Sequence, residues 1–312
     1  DTEKIKNVIS ETLTAKGFFE IMNNSLSAEV YYKNLTTYPL KKLVYIKNPL
    51  SNELNILRQT LLFGFLQTIQ LNLNRKQKDI RLFEFGNIYQ YNNRGEQPDT
   101  KDFTEEIRLG VSLTGQYGEA IWNAPVKEYD FFRLKAIVGE LLTRLGLSEY
   151  NVQTSIPEDI FFYGLTYYLH NKAIVSLGAI KKIILQKFEI KKTVYYAEFN
   201  WSAIFQLLKD KQIEFKPLRK FPEVQRDISL LINRDISYNK IHTIIENTNK
   251  RLIKRILLFD VFENEQLGKD KKSYAVRIIF QDEKKTLNEK EINKLMNQLI
   301  RSLEEKLGAT IR

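Results

Sequence analysis

KFPEVQRDISLLIN, residues 220–233, is the stretch from which the fold of the C-terminal hundred residues can be worked out. One parity of this stretch is apolar and consists of Ile228, Leu230 and Ile232. The other parity leans polar and consists of Asp227, Ser229 and Leu231. Because successive side chains of a strand point to opposite faces, the pattern predicts a strand that is buried on one face only.

The residues after this strand predict two helices and three more strands. Ser237 is a suitable N-cap for an amphipathic helix over 238–249, and the strands RILLFDVFEN (255–264) and KKSYAVRIIFQD (271–282) follow. A second helix runs from Leu287 to Leu307, Gly308 takes the C-cap role, and 309–312 can form a last short strand. The order βαββαβ predicts a ferredoxin-like module over residues 217–312.

Both helices of such a module cover one face of its sheet, so the other face is open. Strict alternation places Leu257, Phe259 and Val261 on one face of the strand. It places Leu258, Asp260 and Phe262 on the other. Parity then assigns to the open face Ser229, Leu231, Asp260, Phe262, Ser273 and Arg277. An aromatic ring, an arginine and small hydroxyls suit stacking and hydrogen bonding to unpaired RNA bases. A solvated or partner-covered face would carry the same residues, and parity does not decide between the two.

The module contains Phe221–Pro222 with Arg226–Asp227, LFDVF (258–262), KKSYAVRIIFQD (271–282) and TLNEKEIN (286–293). These segments resemble the ferredoxin-fold anticodon-binding domain of the phenylalanyl-tRNA synthetase beta subunit. The resemblance implies that the anticodon meets Ser229, Asp260, Phe262 and Ser273. Arg277 joins these candidates through its place on the same face. The family often has tyrosine at position 262, and phenylalanine keeps the stacking surface but lacks the hydroxyl.

Length and composition limit the classes of protein to which this chain can belong. The 312 residues, 43% of them hydrophobic, are enough for two domains with a sizeable core. The absence of cysteine excludes disulfides and thiolate chemistry. No apolar run approaches the roughly 20 residues of a membrane helix. The chain opens at Asp1 without a methionine or a secretory pattern, so we expect a fragment of a longer protein.

Positive charge is concentrated toward the C-terminus. The net charge is +10, and residues 214–312 hold 21 Lys and Arg against 15 Asp and Glu, which is +6 in under a third of the chain. This asymmetry favours a polyanionic partner for the last module.

Residues 1–208 resemble the catalytic-like domain of the same beta subunit. A helix over 3–15 followed by GFFEI (17–21) is similar to the first signature of class II synthetases, which builds a subunit interface. We expect a strand at 18–22 and a helix at 57–74. The resemblance continues through NPLS (48–51), LRQT (57–60), LNLNR (71–75) and RLFEFGNIY (81–89). It implies an α+β chain in which a class II synthetase-like antiparallel sheet domain with helices precedes the ferredoxin-like domain.

The elements that handle phosphate in active class II synthetases are missing from this sequence. Active members place an arginine directly after the GxxY stretch and a glycine-rich segment ending in arginine near the domain's end, which stabilise charge together with metal ions. Here GNIY is followed by Gln90, and SLGAIKKIILQKF (176–188) has one glycine, Gly178, and no arginine. His170 and His242 are too few for a dense metal cluster. We therefore predict no catalytic residue and no metal ligand in this chain.

The resemblance covers the whole chain and implies a catalytic-like domain at 1–208, a linker at 209–216 and an anticodon-binding domain at 217–312. In the family, two alpha and two beta chains assemble, and the alpha chain carries the active site that uses ATP and Mg. The beta chain docks on alpha and binds the anticodon region of tRNA(Phe). We expect a cytoplasmic part of this enzyme that has no cofactor and no charging activity by itself. A stand-alone RNA-binding or regulatory ferredoxin-like module, or a purely structural protein, remain alternatives.

Overall fold

The structure is a computed structural model, and it describes residues 2–49, 51–92, 99–118, 121–147, 150–208, 220–264, 267–268 and 270–311. The chain forms two compact units, Asp1–Ile213 and Glu214–Arg312. The predicted linker at 209–216 lies outside the described residues. The domain bounds therefore stay a prediction.

Seven α-helices lie in the described residues: α1 Thr2–Ala15, α2 Leu62–Asn74, α3 Phe131–Arg144, α4 Lys182–Gln186, α5 Trp201–Leu208, α6 Tyr238–Thr248 and α7 Glu289–Leu307. The strands of the first unit are β1 Phe19–Glu20, β2 Leu26–Ser27, β3 Val44–Tyr45, β4 Ile56–Leu57, β5 Ile80–Tyr91, β6 Phe103–Thr114, β7 Gln116–Tyr117, β8 Lys127–Glu128, β9 Asn151–Gln153, β10 Phe161–Leu169, β11 Lys172–Ile180 and β12 Val194–Asn200. The strands of the second unit are β13 Val224–Asn233, β14 Ile253–Phe262, β15 Lys271–Phe280 and β16 Thr310–Ile311. None of the helices in the described segments is long and apolar enough to cross a bilayer.

The first unit is built on a seven-stranded sheet with the order β1-β5-β6-β12-β11-β10-β9. Only the β1–β5 pair is parallel, so the predicted antiparallel sheet is confirmed. Helices α1, α3 and α5 pack on one face, while α2 and α4 pack on the other. Helices can pack on both faces because the central strands carry apolar side chains on both of their faces.

Two predictions for this unit are wrong in their bounds. The helix expected at 57–74 begins only at Leu62, and Ile56–Leu57 forms β4 instead. The backbone amide of Arg58 donates to the Ser25 carbonyl at 2.9 Å, and the Tyr89 amide donates to the Arg58 carbonyl at 2.8 Å. These long-range bonds hold the segment extended where local propensity favours helix. The strand expected at 18–22 is reduced to Phe19–Glu20, because only these two residues pair with β5.

Two glycines face each other across β10 and β11. Gly164 and Gly178 are direct partners in the antiparallel register. A Cβ on Gly178 would lie 2.3 Å from the Tyr163 carbonyl oxygen, and one on Gly164 would lie 2.2 Å from that of Leu177. Gly178 therefore has a structural role in strand packing.

We expect Gly178→Ala to destabilise the protein by about 1–3 kcal/mol, because the new methyl group meets rigid backbone. Gly139→Ala is the matched control, since Gly139 lies within α3 and its nearest neighbour would be 4.0 Å away. The control is expected to gain about 0.5–1 kcal/mol from reduced backbone entropy. Urea unfolding of both variants measures the difference, and equal stabilities would contradict the prediction.

The second unit confirms the predicted βαββαβ module. Its sheet has the order β14-β15-β13-β16, and every pair is antiparallel. Helices α6 and α7 cover one face and share a core with the apolar parity of β13 and β15. Asn288 and Glu291 form a capping box that starts α7, and Gly308 ends it with φ at 60°. Ser237 precedes α6 as predicted, but its side chain makes no capping bond.

Candidate nucleic-acid interface

The open face of the second unit is the candidate site. Strand register places on it all five residues predicted to meet the anticodon, together with Asp227, Leu231 and Ala275. Ser273 on β15 lies between Leu231 on β13 and Phe262 on β14, and Ala275 lies between Ser229 and Asp260. The antiparallel ladder therefore brings residues from three distant segments to neighbouring positions.

Strict alternation misplaces Leu257 and Phe259. A β-bulge between Leu258 and Asp260 shifts the register of β14, so that Leu257 pairs with Arg277 and Asp260 with Ala275. Both Leu257 and Phe259 consequently share the open face with Asp260 and Phe262. A bulge inserts one extra residue and re-aims the side chains around it, which parity alone cannot show.

The two serines of the face bind each other. The Oγ atoms of Ser229 and Ser273 are 3.2 Å apart, and Ser273 is only 7% exposed. Each hydroxyl can both donate and accept, so the pair can turn one hydrogen bond toward a ligand while keeping the other. A base that reaches Ser273 has to lie close against the sheet.

Asp260 and Phe262 are the accessible members of the group. The Phe262 ring is 48% exposed, and the Asp260 carboxylate is exposed on the same face. A planar ring offers a stacking surface to any base, whereas a carboxylate accepts hydrogen bonds from amino and imino groups of a base edge. This arrangement presents a stacking surface and hydrogen-bond acceptors side by side.

Arg277 is held by an ion pair. Its Nε donates to Asp227 Oδ1 and its Nη2 to Asp227 Oδ2, each at 2.8 Å. The two hydrogen bonds from Arg277 hold the pKa of the Asp227 carboxyl below its usual range. The Arg277 guanidinium carbon also lies 5.2 Å from the centroid of the Phe259 ring. The arginine therefore has a set position and a partly neutralised charge.

The first unit carries a buried polar cluster on the sheet face beneath α2. Arg58 Nη1 and Glu84 Oε1 form an ion pair at 2.8 Å, with both side chains buried. Asn23 Nδ2 donates to the other Glu84 oxygen at 2.7 Å. Glu198 Oε2 accepts from the Thr60 hydroxyl at 2.7 Å and from the Tyr196 hydroxyl at 2.6 Å. Each charged group is thus bonded within the protein.

Fully buried aromatic side chains fill the same face: Tyr32, Phe63, Phe65, Phe188 and Tyr196. Burial raises the pKa of Tyr32 to about 12, as expected in a dry environment. The uninterrupted register of β5 puts Gln90 on the same side as Glu84, where it offers no positive charge. The guanidinium of Arg58 is occupied by Glu84.

The segments that the structure describes contain no group of three or more His, Cys, Asp or Glu side chains placed to hold a metal ion. The predictions of no catalytic residue and no metal ligand stay predictions.

The fold is that of an aminoacyl-tRNA synthetase of class II type, joined to a ferredoxin-like module. The chain superimposes on the pyrrolysyl-tRNA synthetase from Desulfitobacterium hafniense with a TM-score of 0.51 and 14% identity, over 67% of this chain and 69% of that chain. A likeness at this identity concerns the fold alone.

Sequence comparison identifies the family. Residues 1–201 match the phenylalanyl tRNA synthetase beta chain CLM domain, and residues 219–312 match the ferredoxin-fold anticodon binding domain. The chain belongs to the phenylalanine–tRNA ligase beta subunit family. The beta subunit of Bacteroides fragilis is 39% identical over 100% of this chain and 38% of its own length. That of Carboxydothermus hydrogenoformans is 35% identical over 99% of this chain and 38% of its own length. The chain thus spans under two-fifths of these curated relatives.

Proposed function

We propose that this chain works within a phenylalanine–tRNA ligase as the non-catalytic C-terminal part of its beta subunit. Its first unit docks on the catalytic alpha subunit and supports it. Its second unit binds the anticodon region of tRNA(Phe). In this proposal, two alpha and two beta chains assemble in the cytoplasm, and ATP and Mg act at the alpha subunit's active site during aminoacylation.

The open face carries the RNA-binding part of the proposal. Ser273, Asp260 and Phe262 lie together on the sheet face opposite to the one that α6 and α7 cover. Stacking on an aromatic ring with hydrogen bonds to polar neighbours is how single-stranded RNA loops are usually recognised. The surplus of Lys and Arg after residue 214 adds attraction to the tRNA backbone.

The docking part rests on two features of the first unit. The sheet face beneath α2 is filled by protein side chains, which supports a scaffold rather than a second active site. Strand β1 lies at the edge of the sheet, where Phe19 and Met22 are exposed. Exposed apolar side chains beside a free strand edge suit contact with another chain.

The test is binding of the chain to tRNA(Phe) and to the same tRNA with a changed anticodon, at two salt concentrations. We expect a preference for the cognate anticodon that persists at the higher salt, because base contacts do not release counterions. Phe262→Ala should remove about 1–3 kcal/mol of binding free energy, the usual value for one stacked base.

Phe162→Ala is the matched control, since Phe162 is an exposed phenylalanine of the first unit. Its affinity should equal that of the wild type. Equal binding of both tRNAs that fades with salt would mean phosphate attraction only and would overturn anticodon recognition. Co-purification with the alpha subunit separates the ligase proposal from a stand-alone RNA-binding module.

A further inference from the structure

We propose that Phe259 and Arg277 form a second stacking platform on the open face, which takes an unpaired nucleobase different from the one on Phe262. This inference rests on the proposed function, because it assumes that the open face binds RNA. It adds Phe259 to the site and gives Arg277 the role of a planar stacking surface.

The β14 bulge is the structural basis of this platform. Strict alternation counted back from Asp260 and Phe262 would point Phe259 toward the helices. With the register shift after Leu258, the ring lies on the open face and is 53% exposed. Leu257, Phe259 and Phe262 are exposed together on this face. A contiguous exposed apolar patch marks a contact surface, and a stacked base is a partner that fits its two aromatic rings.

The guanidinium of Arg277 completes the platform. Asp227 binds it through two hydrogen bonds of 2.8 Å, which set the orientation of the guanidinium plane. Its carbon lies 5.2 Å from the centroid of the Phe259 ring, within the range of a cation–π contact. Guanidinium planes stack on RNA bases as aromatic rings do. Because Asp227 already neutralises much of the charge, the planar surface is what Arg277 offers to RNA.

The position along the sheet separates this platform from Phe262. Phe259 lies three residues before Phe262 on β14, and Arg277 lies four residues beyond Ser273, the partner of Phe262, on β15. At about 3.3 Å per residue, Phe259 is at most about 10 Å and Arg277 about 13 Å along the sheet from Phe262. Neighbouring stacked bases of a duplex strand are only about 3.4 Å apart. Two platforms at this distance therefore fit bases that are splayed apart, as in an anticodon loop.

The two platforms also differ in the chemical groups that they offer to a base. Asp260 and Ser273 surround the Phe262 end with hydrogen-bonding groups. The Phe259 end carries Leu257 and the paired Arg277, which provide apolar and planar contact. We therefore expect the second platform to raise affinity with little preference among bases, since every base has a π-face.

The experiment uses the 312-residue chain and the anticodon stem-loop of tRNA(Phe), with 2-aminopurine replacing one unpaired loop base at a time. Stacking quenches 2-aminopurine fluorescence. We expect the wild-type chain to quench at two or more positions. Phe259→Ala should restore fluorescence at one position, and Phe262→Ala should restore it at another.

Affinity measurements on the unlabelled stem-loop complete the design. We expect Phe259→Ala to raise Kd by about 5- to 100-fold, whereas Phe259→Tyr should retain binding. Arg277→Lys keeps the charge but loses the plane, so it should weaken binding with an unchanged dependence on salt. Val261→Ala is the control, because Val261 is a similarly exposed apolar residue of the same strand paired with Tyr274 of the helix-covered parity.

The outcomes distinguish the two proposals. If Phe262→Ala weakens binding while Phe259→Ala stays within twofold of the wild type, the second platform is wrong and anticodon recognition stands. If the wild-type chain quenches no loop position and binds only through salt-sensitive attraction, both are wrong. Circular dichroism of each variant checks that the fold is retained, which the exposure of Phe259 leads us to expect.

Discussion

Glu84→Ala is expected to destabilise the protein by about 3–5 kcal/mol, because it leaves the buried Arg58 guanidinium without its carboxylate. Arg58 Nη1 lies 2.8 Å from Glu84 Oε1, and both side chains are buried on the sheet face beneath α2. The variant also removes the acceptor of Asn23 Nδ2. An isolated buried charge keeps its full desolvation cost, so the loss exceeds that of a surface pair several-fold.

The matched control is Glu140→Ala. Lys16 Nζ and Glu140 Oε2 also lie 2.8 Å apart, but both side chains are partly exposed. We expect a cost of about 0–1 kcal/mol there, since water replaces the lost partner. Urea unfolding monitored by circular dichroism measures both variants. Replacing Arg58 and Glu84 together by apolar residues should recover part of the loss, and a double variant no better than Glu84→Ala would contradict the explanation.

Trp201→Ala is expected to destabilise the protein by about 3–5 kcal/mol, because it leaves a cavity in the core of the first unit. Trp201 begins α5, is 1% exposed and packs edge-on against Phe85 with ring centroids 4.9 Å apart. The surrounding residues come from several elements, so they can relax only partly.

The second tryptophan of the chain supplies the control. Trp122 is 98% exposed, so Trp122→Ala should change the stability by less than about 0.5 kcal/mol. The chain has two tryptophans in all, so each variant leaves a single one and its emission reports a known site. We expect a blue-shifted emission from Trp201 in Trp122→Ala and a water-exposed emission from Trp122 in Trp201→Ala. Equal stabilities of the two variants would contradict this account of the core.

Much of the second unit could be predicted because its elements obey simple periods. Strands β13 and β15 alternate without interruption, so parity places Ser229, Ser273 and Arg277 on the open face. The apolar residues of α7 recur at helical spacing, and Gly308 stops the helix. In these elements, local propensity and tertiary packing favour the same conformation.

Strand β14 shows where parity fails. Its run LLFDVF has five apolar residues among six. Because apolar residues occur at both alternating positions, the sequence does not show where a bulge interrupts the strand. The insertion of Phe259 depends on pairing with β15, which lies about fifteen residues further along the chain. Two adjacent apolar residues on both sides of Asp260 are the one signal that alternation is disturbed.

No sequence motif predicts the buried ion pair of the first unit. Arg58 and Glu84 lie in separate segments, and either could have been a surface charge or a catalytic residue. Sheet pairing and the packing of α2 bring them together and exclude water. The same contacts hold residues 56–58 extended, against the helical pattern of the sequence.

The sequence by itself determined the two-part organisation, the βαββαβ order and the face that holds the candidate anticodon-binding residues. These features depend on hydrophobic periods and turn residues, which act over short distances. Only the tertiary structure decided that Phe259 joins that face, that Asp227 is paired with Arg277 and that Glu84 is paired with Arg58. The physical reason is that register shifts and buried ion pairs arise from contacts between residues far apart in the chain, which no local pattern encodes.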